Sequence, residues 1–182
     1  MRTKILFFGL FLLTGLIITS SCQKEEVFDE GTGSSVVLKS GRLPLVSGQG
    51  TFLSWKEYED YPEGIKRTFS FHAGIMPDGS VKGSGVLHYI GGEADIKFDI
   101  TCMTITGNRV KLSGFFTLVT LDPPLVGKPC FFIIEDNGEK AGDNPDRISE
   151  LDWVDAEQVD CAEISDEMEM WPIDRGNIQV KP

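Results

Sequence analysis

"TFSFHAGIMPDGSVKGSGVLHYIGG", residues 68–92, decides the fold. Phe69, Phe71, Ala73 and Ile75 alternate with Thr68, Ser70 and His72, the two-residue period of a half-buried strand. Pro77-Asp78-Gly79 follows as a three-residue hairpin loop with glycine in the left-handed position. That loop pairs Met76 with Ser80, Ile75 with Val81, Phe71 with Gly85 and Phe69 with Leu87. The apolar positions of both strands then fall on one face.

Working outward, Gly91-Gly92 suits a two-residue turn, which pairs Tyr89 with Ala94, Leu87 with Ile96, Gly85 with Phe98 and Val81 with Cys102. Thr106-Gly107-Asn108, taken as a three-residue loop, pairs Cys102 with Leu112, Phe98 with Phe116 and Ile96 with Leu118. Three turns preserve one inward face, which random parity would do about one time in eight. The stretch is therefore a four-stranded antiparallel meander. Gly83 and Gly85 lie on its inward face, where Phe71 and Phe98 are expected to cover the missing side chains; room for a ligand is the alternative. Further strands are expected at 50–55, 129–135, 147–153 and 177–181. About eight strands in meander order predict an all-β fold, a closed up-and-down barrel with a curved β-sandwich as the alternative, because closure removes exposed edges. The large inward residues Phe69, Phe71, Phe98 and Phe116 predict a filled interior.

The start of the chain has a different character. Arg2 and Lys4 precede an apolar stretch from Ile5 to Ile18, then the small residues Thr19, Ser20 and Ser21, and then Cys22. This is a secretion signal too short to span a bilayer. A cysteine placed directly after it resembles the lipid acceptor of bacterial lipoproteins, although Thr19 stands where leucine is commoner. Gln23-Lys24-Glu25-Glu26 resembles the Lys-acid-acid signal that sends lipoproteins of the Bacteroidota to the outer face of the outer membrane. The organisation expected is a signal peptide at 1–21, a lipidated N-terminus and tether at 22–47, and a folded domain at 48–182. Val36–Leu38 reads as a first strand or a docking segment.

About 160 residues remain after the signal, enough for one domain with a real core. The formal net charge of -11 argues against nucleic-acid binding, which needs a basic face. The imbalance is local: 14 acids and 2 bases fall between Glu135 and Glu169, which leaves 14 acids against 15 bases elsewhere. Of the later cysteines, Cys102, Cys130 and Cys161, an oxidising envelope predicts one disulfide and one free thiol, with the pairing open.

His72 and His88 share the outward face of adjacent strands, but the register sets them four residues apart along the sheet, too far to share a metal. No nucleophile elbow, P-loop or dinucleotide fingerprint occurs, so no catalytic residue is assigned. Asp136, Asn137, Glu139, Asp143 and Asp146 lie on a glycine-containing loop whose oxygens suit a hard cation, and calcium is the candidate. The competing reading is a solvated loop whose Asn and Asp cap their own backbone.

Several blocks carry a resemblance: Phe-Ser-Phe-His-Ala at 69–73, Pro-Asp-Gly-Ser at 77–80, Ile-Thr-Gly-Asn at 105–108, Glu-Asp-Asn-Gly at 135–138, Asp-Arg-Ile at 146–148 and Gly-Asn-Ile-Gln-Val at 176–180. Over residues 48–182 the chain resembles a family of small secreted all-β domains, here on a Bacteroidota-type surface lipoprotein, that end in a Gly-Asn-Ile-Gln-Val strand. The resemblance implies an extracytoplasmic β domain and carries no activity with it. The chain departs from the pattern in an acidic insertion at 150–170, expected to be a short helix or irregular. Its Trp153, Met168, Met170 and Trp171 are expected to cover a barrel end or, if exposed, to form a partner surface. The function expected is a lipid-anchored, surface-exposed outer-membrane binding or interaction module for an unknown protein, glycan or small ligand. A carboxylate-dependent hydrolase acting on an extracellular glycan is the alternative.

Overall fold

In the computed structural model, which describes residues 43–54, 63–90, 94–120, 125–138 and 144–181, strands form where apolar and polar side chains alternate. They are β1 (Leu45–Ser54), β2 (Ile65–Ile75), β3 (Val81–Tyr89), β4 (Asp95–Thr106), β5 (Arg109–Val119), β6 (Pro129–Glu135), β7 (Arg147–Ser149), β8 (Asp152–Trp153) and β9 (Met170–Lys181). β1 begins ahead of Gly48 because Val46 is fully buried in the core. The β2–β3 hairpin has the expected register, with Phe69 opposite Leu87 and Phe71 opposite Gly85. Gly79 takes φ 82° in its turn, and the Asp78 carboxylate accepts from the Ser80 N–H at 2.9 Å. The Ser80 bonds hold the Asp78 carboxyl below its ordinary range.

Neighbouring strands run in the order β5-β4-β3-β2-β1-β9-β7-β6, and β6 returns to β5. Eight antiparallel strands thus close an up-and-down barrel, with β8 outside the ring on β6. The expected strand over 147–153 is broken in two, since β7 stays in the barrel while β8 leaves it. The seam is narrow: β6 and β7 share two paired positions, and β7 and β9 share three.

One register differs from the sequence expectation. Thr106 pairs with Arg109, so the β4–β5 loop is the two-residue Gly107-Asn108, and β4 carries register shifts at Lys97/Phe98 and Ile100/Cys102. Phe98 still faces Phe116, because the shift near Cys102 offsets the tighter loop, whereas Cys102 faces Ser113 rather than Leu112 and Ile96 faces Val119 rather than Leu118. The second shift reverses parity. Met103 and Ile105 turn toward the core, and Cys102 turns out.

The interior is filled. Phe132 meets Phe71 and Phe98 edge-on at 5.4 and 5.5 Å between ring centres, and Phe69 stacks on Phe71 at 5.9 Å. Such contacts add about 0.5–1.5 kcal/mol each to the gain from burial. As expected, a methyl group at Gly85 would fall on the Phe98 ring; Phe71 instead lies over Gly48. The void left between Phe52, Phe69, Phe71, Phe98, Phe132 and Leu151 is about 20 Å³, room for roughly one water.

At the end where β1 and β3 terminate, Arg67 stands in register between Phe52 and Tyr89 and points inward. Its side chain is fully buried, its guanidinium lies 4.4 Å from the Tyr89 ring centre, and Glu150 pairs with it at the β7–β8 break. Desolvation weakens the hold of Arg67 on its proton, and the charge of Tyr89 opposes that shift.

The acidic insertion is irregular apart from one 3-10 turn at Cys161–Glu163, capped by Asp160. Only its first residues meet a barrel end, where Glu150 pairs with Arg67 and Leu151 packs against the core. Ile133, on the outer face of β6, packs with Cys161, Ile164 and Met170 in a second apolar cluster, so the insertion lies along the outer wall of β4–β6. A Cys102–Cys161 disulfide, 6.0 Å between Cα atoms, ties it there. The Ser113 hydroxyl donates to the Val159 carbonyl at 2.8 Å, and Lys111 lies 3.1 Å from Asp166.

Candidate functional site

The loop proposed for calcium lies at the barrel end where β6 finishes and β7 and β9 meet. Asp146 is the only buried carboxylate among the described residues. One of its oxygens accepts the Ile178 N–H at 2.7 Å and the other the Asn137 N–H at 2.8 Å. Asp136 accepts from Val180 at 2.8 Å and Gly138 at 2.9 Å, while the Asn137 amide donates to the Pro145 carbonyl and accepts from Asn108. The Glu-Asp-Asn-Gly, Asp-Arg-Ile and Gly-Asn-Ile-Gln-Val blocks thus converge on one hydrogen-bonded knot across the narrow seam. Glu139 and Asp143 lie outside the described residues, as do Cys22, Val36–Leu38 and Trp55. Among the described residues no group of three His, Cys, Asp or Glu side chains is placed to hold a metal ion.

The four residues of the expected partner surface are not brought together as one exposed face. Met170 is buried at 8% exposure and Met168 packs on the same outer cluster, whereas Trp171 packs against the barrel core. Trp153 is exposed, on β8 beside Val154. Cys130 is the free cysteine; burial first, and the Asp99 charge second, push its thiol up to about 12.

Neither histidine completes a catalytic arrangement. His72 faces Ser84 and His88 faces Thr68, as the turns predicted. His88 Nδ1 lies 2.6 Å from Asp95 on the exposed wall, but among the described residues no hydroxyl or thiol engages its other nitrogen.

The sequence reasoning missed a groove of about 390 Å³ on the outer wall. Strand register builds it: His72, Ser47 and Gln179 form one row across β2, β1 and β9, and Ser70, Gln49 and Asn177 form the next. Alternation sends all six side chains outward, away from Phe69, Phe71, Val46 and Ile178. None is an acid or a lysine or arginine, and among the described residues none of the six side chains hydrogen-bonds to another protein group. The array offers hydroxyl and amide groups that both donate and accept, with no assembled nucleophile. Ser47 and Gln179 meet only because β9 returns to β1, and Ser47 stood in the expected tether, so no local signal marked the site.

No family model, curated protein or solved structure matches the chain.

Proposed function

We propose that the chain is a lipid-anchored protein of the outer-membrane surface whose closed barrel is a rigid binding module. The ligand is met on the outer wall, at the groove formed by β2, β1 and β9. The observation that carries this reading is the contrast between an interior with a void of only about 20 Å³ and an outer groove of about 390 Å³ lined by uncommitted polar side chains. A cup for a small apolar ligand would need the interior that the phenylalanines occupy. The anchor rests on Cys22 directly behind an apolar secretion signal, and the surface address on Lys24-Glu25-Glu26.

The anchoring test is metabolic labelling with an alkynyl fatty acid, followed by protease treatment of intact cells. The wild-type chain is expected to carry the label and be digested from outside, and Cys22→Ser to lose the label. Equal label on Cys22→Ser would refute lipidation at that residue, and protection of the wild-type chain in intact cells would refute surface display.

A further inference from the structure

We infer that the outer-wall groove of β2, β1 and β9 binds a neutral oligosaccharide, held by Ser47, Gln49, Ser70, His72, Asn177 and Gln179. This inference deepens the binding-module reading and rests on it. Directly opposed residues on adjacent strands stand about 4.5–5.5 Å apart, and successive outward residues on one strand about 7 Å apart. The six groups therefore form two rows of three across roughly 10 Å by 7 Å, the footprint of a short saccharide. Each amide presents a carbonyl acceptor and an NH₂ donor, and each serine hydroxyl does both. A sugar hydroxyl also donates and accepts, so neighbouring hydroxyls find a partner of either kind at each position of the array.

The other ligand classes fit less well. An anionic polymer finds no lysine or arginine in the groove. A cationic ligand finds no carboxylate there. An extended peptide cannot add as a strand, because β1 is paired on both sides, to β2 and to β9. An apolar ligand would leave six polar groups desolvated and unmatched.

At the β6–β7 end Asp136, Asn137, Asp146 and Asn108 are all engaged with protein groups. The groove side chains have neighbours at similar spacing, yet they bond to none of them. No exposed aromatic ring lines the groove to stack on a sugar, so binding rests on hydrogen bonds alone and the expected Kd is on the order of 0.1–1 mM.

The experiment is saturation-transfer NMR on the full chain in detergent micelles with maltohexaose, cellohexaose, mannohexaose and xylohexaose, and with an oligogalacturonate of equal length as the acidic control. At least one neutral hexaose is expected to bind and the acidic control not to bind. Gln49→Ala combined with Asn177→Ala is expected to weaken binding at least about tenfold. The melting temperature should stay unchanged, since the side chains removed hold no protein partner. Thr117→Ala, on β5 across the ring from β1, should leave binding intact. Failure of all four neutral probes, preference for the acidic one, or undiminished binding by the double variant would each overturn the inference. Because acylation and surface display are read separately on cells, loss of the sugar result would leave the anchoring result standing, and the reverse.

Discussion

Gly85 and Gly48 act as receptacles for phenylalanine rings. An alanine methyl at Gly85 would overlap Phe98, so Gly85→Ala is expected to cost about 1–3 kcal/mol in urea unfolding. Adding Phe98→Leu in the same chain should recover part of that loss, because the smaller side chain vacates the contested space. The Gly85 pairing was legible in the turn register; the Gly48 partner of Phe71 was not, since it depends on β1 lying beside β2. Asp146 also acts at this scale. Its carboxylate satisfies two backbone N–H groups at the seam, and bonds to a charged acceptor are worth about 1.5–3 kcal/mol each. Asp146→Asn turns an NH₂ donor toward one of those N–H groups. It should lower the melting temperature by the same amount in calcium and in excess chelator, and a loss seen only in calcium would instead make the carboxylate a metal ligand. Cys130 gives a pH signature. Its folded-state value, about 12 against an ordinary 9.0, keeps the native thiol protonated where the unfolded one ionises. Its stabilising contribution is therefore complete below about 9 and is lost as pH rises through about 12. Iodoacetamide should leave the native thiol unmodified from about pH 8 to about pH 10 and react with it once urea exposes it.

Among the elements, β2 and β3 were legible because a glycine-marked turn and strict alternation fixed their register together. β4 hid its second shift, although the apolar positions Ile96, Phe98 and Ile100 are even and Met103 and Ile105 are odd. That change of parity records the bulge, and a three-residue loop hid it by preserving the Phe98–Phe116 pair. The bulge has a structural use: it turns Cys102 outward, where it can reach Cys161. The insertion was recognisable as an addition by its acidity, but its seat on the outer wall was not. Ile133 had read as part of a continuous apolar strand rather than as a residue with an outer partner. Breaking the tie tests that arrangement. The disulfide closes a loop of 59 residues, so Cys102→Ser with Cys161→Ser is expected to cost about 2–4 kcal/mol. The barrel should survive with its own core intact, while a glutamate-specific protease should cut at Glu157, Glu163 or Glu167 well before it cuts the strands. Simultaneous loss of the barrel strands would show that the insertion is part of the fold rather than a strap upon it.

For the molecule as a whole, the barrel's walls differ. The β4–β6 wall is hidden under an acidic strap, and the β2–β1–β9 wall is an open polar groove. The groove depends on β9 returning to β1, which is why it escaped sequence reading while the filled interior, a matter of side-chain size at alternating positions, did not. The interior supports a final prediction. Phe132 touches both Phe71 and Phe98 and borders the small interior void, so its ring stands where an internal ligand would have to sit. Wild-type chain should therefore show no uptake of benzene or indole by calorimetry, since a void of about 20 Å³ admits neither. Phe132→Ala removes the ring from a close-packed core and should cost about 3–5 kcal/mol. The cavity it opens, lined by Phe71 and Phe98, should bind benzene and recover part of the lost melting temperature in its presence. If the wild-type barrel takes up the probe and Phe132→Ala gains nothing, the interior already has room, and the ligand surface would have to be sought inside the ring instead of on its wall.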